Sequence, residues 1–254
     1  MENKLENLFK NKKNILSIYF TAGFPKLNDT ALILDGLQKS AVDMIEVGFP
    51  FSDPLADGPT IQHSSEVALK NGMTLKLLFE QLSKSQIRNS KSSVLLMGYL
   101  NPVLQFGIEN FCRKANETGV SGIIIPDLPM DEYLSEYKKI FDKYNLRNIF
   151  LITPQTSIAR IRLIDKHSEG FIYMVSSAST TGVKNGIDSD QEKYFSRIKK
   201  MNLKNPLMIG FGISDNKSFS KACEYANGAI IGSAFIKHLE SGGEVDNFVR
   251  AIRN

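Results

Sequence analysis

The stretch Ile45 to Gln62, IEVGFPFSDPLADGPTIQ, sets Glu46 in an apolar run and places Asp53 and Asp57 in a loop punctuated by Pro50, Pro54, Gly58 and Pro59. A carboxyl between Met44, Ile45 and Val47 must be paired or have a raised pKa, because desolvation disfavours its charged form. That is the environment of a general acid/base. The prolines and glycine restrict the loop enough to hold Asp57 in a defined position. Two carboxyls in unlike surroundings can then take different roles. The same residue types also make structural ion pairs and ordinary turns, so the surrounding elements must decide.

A second constellation suits an anion. Glycine turns follow three late apolar runs: Thr181-Gly182, Gly210-Phe211-Gly212 and Gly232-Ser233. Glycine lets backbone amides approach a ligand, and a helix starting there aims its positive end at a phosphate. Ser233 adds a hydroxyl donor, while Ser214 and Asp215 read as the cap of the next helix. The plain alternative is that these glycines only make tight strand-to-helix turns. Nucleotide binding is disfavoured, since GFGISD lacks the third glycine of the dinucleotide fingerprint and no P-loop is present.

Both sets need a scaffold. Short apolar runs recur at Ile15 to Phe20, Met44 to Val47, Val94 to Met97, Ile123 to Ile125, Ile149 to Ile152, Phe171 to Val175, Leu207 to Ile209 and Ala229 to Ile231. Between them lie segments of helical period, such as Thr30 to Leu37, Phe111 to Glu117, Asp131 to Tyr144 and Asp215 to Tyr225. This alternation over 254 residues predicts an α/β fold, a single (β/α)8 TIM barrel domain over residues 1–254, with an open doubly wound sheet as the alternative. Leu5, Leu8 and Phe9 predict an extra helix closing the barrel bottom, and Asp57 to Met73 a short helix in the second loop. Asn28, Asp29, Asp131, Ser214 and Asp215 are candidate N-caps. In such a barrel the active site forms at the carboxyl ends of the strands, which puts Glu46 at the end of the second strand and Asp57 on the loop after it.

Composition narrows the function further. The formal charge of +4, from 31 basic and 27 acidic residues, is a solubility balance without the basic stripe of a nucleic-acid binder. Cys112 and Cys223 have no metal-ligand or redox spacing and read as small buried side chains; His63, His167 and His238 are isolated, so no metal site is expected. Neither a signal segment nor a membrane-length apolar stretch is visible, and a cytoplasmic location is expected.

Read together with Phe20-Thr21-Ala22-Gly23, Pro126-Asp127-Leu128-Pro129, Gly210-Phe211-Gly212-Ile213-Ser214 and Gly232-Ser233, the loop PFSDPLADGPTIQ closely resembles the tryptophan synthase alpha chain family, in order over nearly the whole chain. The resemblance implies a lyase of tryptophan biosynthesis that cleaves indole-3-glycerol phosphate to indole and glyceraldehyde 3-phosphate by a reverse aldol reaction. It implies no metal or organic cofactor in this chain. Glu46 matches the general acid/base and Asp57 the carboxylate that neutralises charge at the indole nitrogen, read as ionised and better solvated. Tyr173 matches the tyrosine near the acid, Thr181 the loop residue that closes over the site, and Gly182, Gly212, Gly232 and Ser233 the phosphate contacts. Tyr19, Tyr99, Leu100, Leu128, Phe211 and Ile231 are candidates for the indole pocket. The resemblance also implies a partner, the pyridoxal-phosphate-dependent beta chain of an alpha2beta2 heterotetramer, faced by loops carrying Asp53, Pro54, Asn101, Pro102 and Pro129.

One departure stands out: Ser179, in Ser177-Ala178-Ser179-Thr180-Thr181-Gly182, replaces a glycine-bearing form common in the family, which bears on lid opening and partner coupling rather than on the chemistry. The rival readings are a stand-alone lyase releasing free indole, a phosphate-binding isomerase on the same barrel, and a catalytically weak subunit that activates a partner. The isomerase would not need the PFSDPLADGPTIQ loop, and the intact pair Glu46 and Asp57 argues against the weak subunit.

Overall fold

The computed structural model describes residues 2–175, 189–210 and 212–254. The eight apolar runs become eight strands: β1 (Ile15–Thr21), β2 (Met44–Gly48), β3 (Ser93–Met97), β4 (Gly122–Ile124), β5 (Arg147–Ile152), β6 (Ile172–Val175), β7 (Leu207–Gly210) and β8 (Gly228–Ile231). All pair in parallel in chain order, and β8 returns to β1 through Ile15↔Gly228 and Ile18↔Ile231, so the sheet closes into a barrel. Closure excludes the open sheet. It also explains the continuous apolar runs, because each strand is covered inside by the barrel core and outside by helices.

The helices are α1 (Lys4–Asn11), α2 (Asp29–Lys39), α3 (Pro59–Lys70), α4 (Leu75–Lys84), α5 (Leu100–Phe106), α6 (Ile108–Thr118), α7 (Met130–Glu132), α8 (Lys138–Lys143), α9 (Ile158–His167), α10 (Ser189–Lys200), α11 (Asn216–Cys223), α12 (Ser233–Glu240) and α13 (Val245–Arg253). A π-helical turn over Tyr133–Tyr137 joins α7 to α8. Asp215 caps α11 in a reciprocal capping box with Ser218, as its sequence position suggests. The Asn28 side chain makes no capping bond, Asp29 and Asp131 lie inside their helices, and Ser214 donates its backbone N–H to Ser218 Oγ rather than capping. A polar residue near a helix start is a cap only when its side chain reaches an unbonded amide. Cys112 is buried as read, whereas Cys223 is only half-buried near the end of α11.

The helix foreseen from Leu5, Leu8 and Phe9 seals the amino-terminal end of the barrel. Leu5 is fully buried beneath Gly122 and Gly170, where an added Cβ would meet its Cδ2. Asn3 caps α1 and donates to the Ser121 carbonyl at 2.9 Å, and Lys4 Nζ donates to the carbonyls of Ile87 and Arg88. On the same end Arg147 bonds Glu6 at 2.6 Å, with Glu169 3.6 Å away. The ionic plug thus lies at the end of the barrel opposite the loop that carries Asp57.

Candidate active site

Residues paired across parallel strands share a face, so register sorts the barrel interior from its exterior. Tyr19↔Glu46↔Leu95 and Leu151↔Tyr173↔Met208 lie on the inner face. Glu46 is the middle residue of β2 rather than its end, one inward position below Gly48. Its side chain is fully buried; Oε1 accepts a hydrogen bond from Ser17 Oγ at 2.8 Å, and Oε2 has no partner among the described residues. Burial pushes the carboxyl up to about 8, against the opposing pull of the Ser17 hydroxyl.

Asp57 corrects an expectation. It is 8% exposed, not well solvated, because α3 begins just after it and the loop folds over the barrel mouth. Tyr99 Oη donates to its Oδ2 at 2.9 Å and accepts from the Ala56 N–H at 3.0 Å. Its backbone is pinned by Asp57 N–H to the Pro54 carbonyl and by Gln62 Nε2 to the Asp57 carbonyl. Burial lifts its pKa to about 6, with the Tyr99 bond working the other way. The surroundings of the two carboxyls are unlike, but not in the way expected. At neutral pH Glu46 is mostly protonated and Asp57 mostly ionised, and this difference comes from depth of burial and a tyrosine, not from solvent.

Two tyrosines stand with the acids. Burial raises the phenol pKa values of Tyr19 and Tyr173 first, and the fields of both Glu46 and Asp57 add to that, so one cluster contains all four. Space for the phenols comes from missing side chains: a Cβ on Gly48 would lie 2.1 Å from Tyr19 Oη, and one on Gly210 2.2 Å from Tyr173 Oη. A directed hydroxyl chain holds Tyr19. Ser64 Oγ gives its proton to the Ile61 carbonyl, so Thr21 donates to Ser64 at 2.7 Å and Tyr19 donates to Thr21 at 3.3 Å. The phenol oxygen of Tyr19 therefore keeps its lone pairs for an incoming donor.

The anion pole is also built, with a distinction that sequence did not make. The first turn of α11 is filled by its own Asp215 carboxylate. α12 starts at Ser233 with Gly232 as N-cap, and among the described residues no side chain caps its leading amides. Gly232 lies over Tyr19, an added Cβ coming within 3.4 Å of that ring. Gly212 holds φ +77 on the loop after β7, a backbone setting that glycine adopts without strain.

Other expected residues divide. Tyr99 stacks on Phe51, with ring centroids 5.2 Å apart, and is part of the site through Asp57. Leu128 is buried in the loop after β4, and Leu100 opens α5, half-buried, its N–H bonded to Asp127 Oδ1 at 2.9 Å. Ile231 is misplaced. Its pairing with Ile18 turns it toward the helices, and Ile230, paired with Ser17 and Gly210, takes the inward position. Thr181, Gly182, Phe211 and the segment carrying Ser179 lie outside the described residues. Asp53 and Pro129 are exposed and Pro54 is half-exposed on loops, whereas Asn101 and Pro102 sit in the first turn of α5 rather than on a loop. A proline is tolerated there because the first-turn N–H groups have no helical acceptor. Among the described residues no cluster of three or more potential metal ligands occurs, and no helix is long and apolar enough to cross a membrane.

Comparison with known proteins identifies the family. The family profile described as tryptophan synthase alpha chain matches residues 5–252. The tryptophan synthase alpha chain of Flavobacterium johnsoniae is 59% identical over 254 residues, spanning 99% of this chain and 100% of its own. This chain belongs to the tryptophan synthase alpha chain family. Solved relatives include the alpha chain of Legionella pneumophila subsp. pneumophila, at TM-score 0.87 and 31% identity over 100% and 97% of the two chains. A second is a tryptophan synthase complex of Pyrococcus furiosus, at TM-score 0.85 and 33% identity over 95% and 98%. The protein is accordingly a carbon–carbon lyase of tryptophan biosynthesis, and its reaction is the alpha reaction, cleavage of indole-3-glycerol phosphate. Ser17 and Ile230 were missed in the sequence. The signal was present, since a lone polar residue in ILSIYF two positions before Tyr19 must share its face, but only with the inward phase of β1 known.

Proposed function

We propose that Glu46 and Asp57 divide the alpha reaction between them, with Glu46 as the shuttling acid/base and Asp57 as the fixed counter-charge. The observation that carries this is two buried carboxyls beside one tyrosine cluster, Glu46 held by Ser17 at 2.8 Å and Asp57 by Tyr99 at 2.9 Å, with burial pushing the first up to about 8 and the second to about 6. Neutral Glu46 donates its proton to C3 of the indole ring. The positive charge that results at N1 is balanced by ionised Asp57. Carboxylate Glu46 then takes the proton of the side-chain hydroxyl beside the scissile bond, and the oxygen electrons form the aldehyde. The electrons of the broken carbon–carbon bond return to the ring and cancel the charge at N1. Glu46 ends the cycle protonated, as it began, and no outside proton is consumed.

The uncapped start of α12, with Gly232 and Ser233, is the place for the substrate phosphate, joined by Gly212; Thr181 and Gly182 are assigned to the same reading by their sequence positions. Tyr19, Tyr173, Tyr99 and the inward Ile230 line the indole side, with Leu100, Leu128 and Phe211 as further candidates. A beta chain is the partner, because solved relatives of this chain are described as tryptophan synthase complexes. In the finer reading the assembly is alpha2beta2, the beta chain carries the pyridoxal phosphate, and the complex works in the cytoplasm. Asp53, Pro54, Asn101, Pro102 and Pro129 face that partner, and Leu55, 86% exposed in the same loop as Asp53, is apolar surface it would cover. The test is indole release from indole-3-glycerol phosphate by the purified chain, alone and with the beta chain added. Turnover that accelerates on addition supports the partnered enzyme. Full turnover unaffected by the beta chain would indicate a stand-alone lyase.

A further inference from the structure

We propose that Ser17 is a positioning residue for Glu46, whose hydroxyl holds Oε1 as a permanent acceptor and so assigns the reactive proton to Oε2. The proposal rests on the reading of Glu46 as the acid/base. Ser17 is fully buried on β1, its Cα paired with Met44 and Ile230, and its side chain reaches diagonally to the neighbouring strand to donate at 2.8 Å. A hydroxyl has one proton, and Ser17 spends it on Oε1. In a protonated carboxyl the carbonyl oxygen is the stronger acceptor and the hydroxyl oxygen the weaker, so the Ser17 bond favours Oε1 as the carbonyl. The proton therefore belongs on Oε2, the buried oxygen with no partner among the described residues. A carboxyl with a fixed acceptor oxygen and a free donor oxygen presents one proton in one direction, which is what transfer to a ring carbon requires.

The bond also sets when Glu46 titrates. The Ser17 hydroxyl favours the ionised form and offsets part of the effect of burial. The groups facing Glu46 from the other elements do not titrate in the same range. Tyr19 on β1 and Tyr173 on β6 have phenol pKa values raised above the ordinary one, Asp57 on the loop after β2 ionises near 6, and Leu95 on β3 has no ionisable group. The alkaline limb of the rate profile thus belongs to Glu46.

The experiment compares kcat, KM and the pH dependence of kcat/KM for the parent, Ser17→Ala, Ser17→Cys, Ser17→Thr and Glu46→Gln, with the fold followed by circular dichroism. Ser17→Ala should lower kcat on the order of tenfold with KM little changed, and move the alkaline limb up by about one pH unit, the effect of a lost hydrogen bond to a charged group. Ser17→Cys, similar in size but a feeble donor, should match alanine, and Ser17→Thr should restore both readouts. A parental alkaline limb in Ser17→Ala and Ser17→Cys, or a kcat loss that threonine leaves unrepaired, would overturn the role of Ser17 while a dead Glu46→Gln variant keeps Glu46 in place. Substantial turnover by Glu46→Gln would instead remove the acid/base reading itself.

Discussion

At the scale of single residues, the active site depends on making one carboxyl reluctant to ionise and leaving its neighbour charged. In the proposed division of roles the free enzyme is competent while Asp57 is ionised and Glu46 protonated, so kcat/KM should be bell-shaped. Its acid limb should fall near 6 and its alkaline limb near 8. A profile flat from pH 5.5 to 8.5 would contradict the assignment. Glu46→Gln should abolish turnover, and its stability should carry a signature. Folded Glu46 holds its proton up to about 8, whereas the unfolded chain releases it near 4.5. Between those values the native state binds more protons, so the parent loses stability as pH rises through the window. Glutamine does not titrate, and the melting temperature of Glu46→Gln minus that of the parent should increase from about pH 4.5 to about pH 8. A difference independent of pH would mean that Glu46 ionises normally. Sequence made the carboxyls conspicuous through their apolar and Gly/Pro surroundings. It misjudged Asp57, because nothing local in PLADGP shows that α3 and Tyr99 enclose it.

At the scale of elements, the catalytic face is assembled from strand register and from loops tied to the next strand. Tyr99, at the start of α5, reaches across to the loop after β2 and holds both Asp57 Oδ2 and the Ala56 amide. Tyr99→Phe removes a bond that favours ionised Asp57. The acid limb of kcat/KM should therefore move upward from about 6, with kcat near pH 7 reduced. An unmoved acid limb would show that Asp57 is held by other means. The apolar runs predicted all eight strands to within a residue or two, since a strand covered on both faces has few other sequence forms. Which residues of a run point inward was not legible there, because a continuous run carries no alternation. Only the pairing of Ser17 with Ile230 and of Ile18 with Ile231 separates the inward residues from the outward ones.

At the scale of the whole molecule, the barrel is polar and reactive at one mouth and plugged at the other. Leu5→Ala would open a cavity beneath Gly122 and Gly170, and should cost about 2 to 5 kcal/mol in chemical denaturation while leaving KM unchanged. A cost near zero would mean that α1 only rests on the barrel end. Strand and helix alternation, the glycine turns and the loop PFSDPLADGPTIQ were enough to determine the fold class and the family resemblance and to single out Glu46 and Asp57 as candidates, because each is a local pattern with a local cause. Closure of the sheet, the burial of Asp57, the hydroxyl that holds Glu46, and the choice of α12 over α11 as the uncapped helix start were decided only by tertiary structure. Each of these depends on which distant residue arrives beside a given group, and one chain position carries no record of its neighbour in space.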